Sequence, residues 1–478
     1  MTGVGTRTAP VQPEISPATW RLAWVIAFGA FAGGLDTSLI NIALHTIQGE
    51  FHTDLGLAQW ISSAYLLALA VSLPVCAWLG RRVGVGRLWL GALAAFTVIS
   101  ALCALAPTME VLIGLRVLQG LTAGLLVPAG QTILGQAVGP GKLGRVMARL
   151  GVAVVLAPAL GPFLGGLMLH SLSWRWLFLI NVPIGAVALV LGLRWIPHEK
   201  GAATAPLDWA GFSYIGAGLP LTVLGLTNWG SDGSPKPVQV LLPLGLGVAG
   251  LVAFVLHATR RDHPLLDMSL YRNAGYASAS VAFIFNGALV FGCGLVFPLY
   301  FQLLHGNGVV ETGLQMLSMG AGTAIMLPLS GRLTDRYGGG PISVLGTGCA
   351  VVATTTFAVL GPGQSPVLVQ TLLFLLGMGT GMASTPLVIS AFTTVPRDRL
   401  PEATSQINIL ARLGGALGAA LFAVVLARGL LGGTRHAFHV AFQWQCGTAL
   451  LALASTLYLW LTLHRAGDQG LPAGGPHH

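Results

Sequence analysis

PVCAWLGRRVG at 74–84 returns as PLSGRLTDRYG at 328–338. Pro74 matches Pro328, Arg82 matches Arg336 and Gly84 matches Gly338, all at an offset of 254. GLTAG (120–124) and GMGTG (377–381) match at 257, and the small-residue runs GPFLGG (161–166) and GGALGA (414–419) at about 253. Three correspondences in one order, at nearly one offset, indicate two homologous halves. The surroundings are apolar. Of 478 residues, 54% are hydrophobic and 8% charged, against about 25% charged in an ordinary soluble domain. The mean hydropathy is +0.77. A soluble globule of this size needs far more charge to cover its surface. The composition excludes a cytosolic enzyme, a disordered chain and a disulfide scaffold, and it leaves a polytopic all-α membrane protein.

Since a bilayer core needs roughly 20 apolar residues per helix, fourteen segments qualify: 21–44, 59–80, 88–106, 111–134, 146–168, 176–195, 209–228, 238–257, 276–301, 313–333, 342–361, 366–390, 404–427 and 439–463. They are apolar all round and too long for barrel strands. The expected organisation is a tail at 1–19, a six-helix bundle at 20–195 and a linker region at 196–275 carrying two inserted helices. A second six-helix bundle at 276–464 and a tail at 465–478 follow. With both termini on one side, that side holds 18 of the 24 Lys and Arg, and the other only Arg175, Lys236, Arg428 and Arg435. The asymmetry places both termini in the cytoplasm, so the net charge of +9 marks a membrane face and not a nucleic-acid surface. The five Cys all fall in apolar spans and read as core residues.

Burying an ionisable residue at a span centre costs roughly 2.5–3.5 kcal/mol on insertion scales. One carboxylate lies well inside a span: Asp36, in GGLDTSLINIAL (33–44). Two arginines are deep, Arg116 in GLRVLQG and Arg412 in ILARLGG. Arg116, Gln119 and Gly120 share one helix face by their spacing. A lone deep carboxylate beside an arginine suits reversible protonation, because desolvation and the cation oppose each other. In parallel half-repeats the substrate site lies at the interface of the halves near the midplane. Candidate cavity residues are Asn41, Tyr65, Gln119, Phe285, Asn286, Asn408 and Arg412. With one deep acid, neutral or monocationic lipophilic substrates are expected.

At these residues the chain resembles the major facilitator superfamily, and within it the fourteen-span drug:proton antiporters, over about 20–464. LDTSLINIAL resembles that branch's first-helix signature, with His45 where a Pro is usual. RVLQG resembles the Arg-x-x-Gln-Gly motif, whose arginine is associated with proton coupling. APALGPFLGG (157–166) resembles the antiporter motif, with Gly161, Pro162, Gly165 and Gly166 in place and Ala157 for the leading Gly. SWRWLFLINVPIG (173–185) and LDWAG (207–211) are similar to further signatures of the branch. The loop after span 2 resembles the superfamily's gating loop, but Ala77 stands for its Gly and Arg81 for its Asp. Arg82 and Gly84 remain, while the second copy keeps Gly331, Asp335, Arg336 and Gly338. Arg81 is therefore expected to lack an anion partner. In span 13 the branch often places Arg one position earlier, at Ala411.

The resemblance implies a monomeric carrier that exports an amphipathic small molecule across a plasma membrane, that of a bacterium by the Arg-rich composition, in exchange for protons. Asp36 would carry the proton and Arg116 would be its electrostatic partner, with no cofactor or metal, no nucleic acid, and the proton gradient as the energy source. The cavity would lie between spans 1, 2, 4 and 5 and spans 9, 10, 12 and 13. An exporter or flippase of one endogenous metabolite or lipid is the alternative carrier, and a membrane receptor or scaffold the alternative from another class. GLGVAG (245–250) and GPGKLG (139–144) fit a dinucleotide Gly pattern but sit in no βαβ unit, and the chain has no nucleotide-binding domain.

Overall fold

Each apolar run folds as a helix, and polar caps set several of the ends. The computed structural model describes residues 15–468 apart from 54, 139, 202–205, 230–236, 263 and 362–363. Ser16 accepts from the Thr19 amide at the start of α1 (Pro17–Phe51), with Pro17 in the first turn, where no amide proton is needed. α2 (Leu55–Val83) and α3 (Val85–Ala104) follow, joined at Gly84, whose φ of 90° favours glycine. Thr108 caps α4 (Met109–Ala137). Next come α5 (Pro140–Ser171), the short α6 (Trp176–Leu179) and α7 (Asn181–Trp195). The pair α8 (Trp209–Trp229) and α9 (Pro237–Ala258) leads to α10 (Ala274–Leu299), capped by Asn273. Then follow α11 (Val309–Tyr337), α12 (Gly339–Leu360), α13 (Pro366–Thr393), α14 (Leu400–Leu430) and α15 (Thr434–Asp468).

Among the described residues, twelve helical stretches are long and apolar enough to cross a membrane. The sequence reading counts fourteen. The two long helices outside that number are α5 and α11, at 32 and 29 residues. α5 is only partly covered by the described residues, and its sequence over 151–168 is apolar and uncharged, whereas α11 is diluted by Gln315, Ser318, Thr323 and several glycines and carries charges near both ends.

The helices pack in two sets with the same pattern. In the first set α1 lies on α5, α2 on α4, and α3 on α4 and α7. In the second α10 lies on α14, α11 on α13, and α12 on α13 and α15. Small residues permit the same close approaches in both. Gly120 and Gly124 of α4 abut Tyr65 and Leu69 of α2, and their counterparts Gly377 and Gly381 of α13 abut Met319 and Thr323 of α11. Gly161 of α5 abuts Ser38 of α1, as Gly414 of α14 abuts Ile284 of α10. The sets meet through α5 against α11 and α2 against α14, while α8 pairs with α9 and leans on α2 and α14. The inter-set contacts concentrate at the Arg-rich end, where Gly144 of α5 and Gly331 of α11 face each other backbone to backbone.

Candidate functional site

Asp36 is completely buried in α1, and groups from α4 and α7 converge on it. Arg116 Nη1 donates to its Oδ2 at 2.5 Å. Gln119 Nε2 and Asn181 Nδ2 donate to its Oδ1 at 3.1 and 2.9 Å. The same Arg116 nitrogen donates to Gln119 Oε1 at 2.7 Å, and Arg116 Nε to the Ile61 carbonyl at 3.1 Å. Below the guanidinium lies the Tyr65 ring, 4.1 Å from Cζ to the ring centre, a desolvated cation–π contact. Asn181 also donates to Ser100 Oγ at 3.1 Å, and Ser100 in turn to the Phe178 carbonyl at 2.9 Å. Cys103 Sγ donates to Gln119 Oε1 at 3.6 Å.

The arrangement can hold a charge in a dry place. Three side chains donate to the two carboxylate oxygens, and this is the bonding of the deprotonated acid. These three donors leave one lone pair of Oδ2 open, and a proton placed there would cancel the charge that Arg116 faces. Asn181 and Ser100 are missing from the sequence-derived site. Asn181 stands in the LINVP run at 179–183; the helix break between α6 and α7 turns its amide inward, which spacing alone does not disclose.

The cavity candidates separate. Tyr65 and Gln119 are buried in the ion-pair site. Asn408 of α14 donates to Gln131 Oε1 of α4 at 2.7 Å, bridging the two sets. Asn286 is buried with Oδ1 unpartnered among the described residues, and Phe285 is half-buried beside it. Arg412 is exposed. The side chain of Asn41 lies outside the described residues. In the antiporter motif Gly161 and Gly165 are buried, whereas Gly166 is exposed with nothing within 4 Å of where a Cβ would stand. The face of α5 at Gly166 is therefore open. The side chain of Pro162 lies outside the described residues, and α5 continues through it.

At the Arg-rich end the two repeated loops make contacts of opposite sign. Asp335 accepts from the Gly144 amide at 2.7 Å, from the Arg145 amide at 3.2 Å and from Arg145 Nε at 3.0 Å. Burial pushes the Asp335 carboxyl above its ordinary value, although those donors pull the other way. In the first copy, Arg81 forms an ion pair with Glu402 at the start of α14. The expectation of a missing anion is corrected. The partner comes from 321 residues away along the chain, and so no local reading finds it. Arg82 and Arg336 stack on their neighbours Trp78 and Tyr337. Gly84 abuts the Glu199 carbonyl, and Gly338 opens to space. A cavity of about 550 Å³ at this end is lined by Arg81, Glu402, Asp208, Arg261, Asp267 and Arg399. It is remote from Asp36 and belongs to the loop contacts. Asp208 accepts from the Gly211 and Leu265 amides and pairs with His257, tying both linkers to α8.

Two packed sets of membrane-crossing helices and a sealed ion pair define a polytopic helical secondary transporter. The chain belongs to the major facilitator superfamily: the family described as Major Facilitator Superfamily matches residues 26–419. It is 33% identical over 425 residues, 88% of this chain and 78% of the relative, to the multidrug resistance protein B homolog of Mycobacterium tuberculosis (strain ATCC 25618 / H37Rv). Among solved structures, a double Trp mutant of XylE superposes with a TM-score of 0.69 at 12% identity, over 94% of this chain and 96% of that one. The human organic anion transporter MFSD10 superposes with 0.65 at 15% identity, over 92% and 100%. At such identities the superpositions show the fold alone.

Proposed function

We propose that this protein exports amphipathic small molecules, drugs or antibiotics among them, across a plasma membrane in exchange for protons, as a fourteen-span antiporter. In this reading α5 and α11 cross the membrane with the other twelve. The halves at 20–195 and 276–464 rock about the site between them, the inserted pair at 196–275 rides alongside, and a single copy suffices. Both termini are cytoplasmic, so the Asp335 and Arg81 contacts close the inner side. The observation that carries the reading is the buried Asp36–Arg116 pair with its amide donors. A scaffold has no use for a titratable acid sealed inside an apolar bundle, whereas an exchanger needs one whose protonation changes helix packing. The name of the mycobacterial relative supports drug export as the cargo class.

Asp36 carries the proton, and Arg116 stabilises the empty carboxylate. Gln119 and Asn181 hold the pair in register, and Gly161 lets α5 close against α1 beside it. The test is export from proteoliposomes under an imposed pH gradient. The wild-type protein should drive uphill movement of an amphipathic dye and move protons the opposite way. Absence of dye-coupled proton flux across a panel of substrates would remove the exchange reading.

A further inference from the structure

The second deep arginine is placed quite differently from the first. On α14, Thr404 hydrogen-bonds Thr132 of α4, and Asn408 reaches Gln131. Ser405, on the adjoining face, lies against Cys76 of α2. Arg412 continues this row one turn beyond Asn408, because residues four apart share a helix face. The opposite neighbours, Ala411, Gly414 and Gly418, pack on α10. Arg412 therefore points at the first helix set and away from lipid. There the sets have parted: Arg412 is exposed, and among the described residues it has no hydrogen-bond partner and no acid at ion-pair distance. It stands within electrostatic reach of Tyr65. The Tyr65 hydroxyl lies beside Thr37 and the Gly33 carbonyl, 3.4 Å from the latter, and is buried.

The sequence expectation of neutral or monocationic cargo rests on Asp36 as a free acid. In the structure Asp36 is neutralised by Arg116 and shut off from solvent. The charge that faces the space between the sets is the Arg412 guanidinium, set in the apolar run ILARLGG (409–415). We infer that Arg412 binds the anionic head of an amphipathic organic acid whose apolar body lies along α14. This inference rests on the export reading and names its cargo. A guanidinium offers charge-assisted, forked donation to a carboxylate, and it repels an ammonium group at the same place. A free organic acid and an anionic lipid share that head chemistry.

The test is equilibrium binding to the full-length protein in nanodiscs of zwitterionic lipid. The probes are one arylalkyl skeleton ending in a carboxylate, a carboxamide or an ammonium group. The carboxylate should bind at least about tenfold more tightly than the carboxamide, and the ammonium most weakly. Arg412→Gln should bring the carboxylate down to the carboxamide's affinity, and Arg412→Lys should keep part of the preference. An ammonium analogue that binds as tightly as the carboxylate would overturn the inference. So would a carboxylate preference that survives Arg412→Gln, or no binding of any of the three. A short-chain anionic phospholipid that displaces the carboxylate at lower concentration identifies the anion as a lipid and keeps the site. The failure of the export reading looks different: the binding preference would stand while vesicles showed no proton-driven movement.

Discussion

Arg116 and Arg412 both interrupt apolar helices, and the fold treats them in opposite ways. Arg116 is walled in by Asp36, Gln119, Tyr65 and the Ile61 carbonyl. Arg412 meets no acid and remains exposed where the two helix sets separate. A charge deep in a sequence thus has two physical placements, against an internal counter-ion or on an open helix face, and they carry different consequences. Losing the counter-ion strands a buried charge, whereas losing an unpaired arginine on an open face strands no partner.

The largest expected effect separates the two directly. Asp36→Asn or Arg116→Gln leaves its partner uncompensated, which typically costs about 3–5 kcal/mol for a buried pair. Asp36→Asn should also abolish export driven by a pH gradient. Arg412→Gln should alter thermal stability by no more than about 0.5 kcal/mol, the usual range away from buried features. Thermal unfolding of the purified variants, with vesicle transport alongside, checks all three. Equal destabilisation by Arg116→Gln and Arg412→Gln would end the contrast, and normal uphill export by Asp36→Asn would end the proton-carrier role.

A second prediction concerns the wall of the sealed site. Adding a methyl at Gly161 drives it into Ser38, two residues from Asp36, and overpacking of this kind costs about 1–3 kcal/mol. At Gly166 the space is open, so Gly166→Ala should leave stability and initial export rate within error. If both substitutions prove harmless, the seal is looser than the packing implies.

In the proposed cycle the loop contacts set how often the space before Arg412 is closed off from the inner side. Asp335 is held by three donors and its side chain is 1% exposed, while Arg81 is 30% exposed and meets a single acid. Asp335→Asn should therefore slow export more than Arg81→Ala. Because Arg81 has a partner, Arg81→Glu should do more harm than Arg81→Ala, and adding Glu402→Arg should restore the rate. Each contact is worth on the order of 1 kcal/mol, enough to shift a two-state population several-fold. Initial rates at matched expression, with a cysteine label on the inner side, give the measurement. Failure of the charge swap to rescue would show that Arg81 and Glu402 do not act as a latch.

The smallest effect is expected at the opposite end, where Arg175 donates to Glu50 at 2.5 Å. Arg175, with the Trp174 indole, holds the Glu50 carboxyl below its ordinary 4.5. A carboxylate lowered on folding adds stability above its ordinary pKa, and that stability is lost as pH falls through the lowered value. Arg175→Ala should thus matter at neutral pH and vanish in acid. With both side chains over a third exposed, solvent screening keeps the contribution under about 1 kcal/mol. Thermal unfolding at pH 7 and pH 3 gives the difference, and an undiminished effect at pH 3 would mean that Arg175 acts by packing.

Much of the architecture is legible in the sequence, because apolar length and the repeated glycines are local properties. Backbone groups in a bilayer must bond within their own segment, so a run such as Val85–Ala104 reads as a helix without reference to its neighbours. Gly120 and Gly377 mark close helix crossings in both sets for the same reason, as only a small side chain allows them. Asp36 and Arg116 announce themselves by the cost of placing charge in an apolar span. What surrounds those charges depends on helix rotation and on contacts between distant segments, which apolar-all-round helices do not encode in their pattern. Tertiary structure alone turns Asn181 onto Asp36, brings Glu402 to Arg81 and leaves Gly166 unpacked. It also decides that one deep arginine is neutralised while the other stays exposed without an acid beside it, because burial and pairing are properties of the assembled helices.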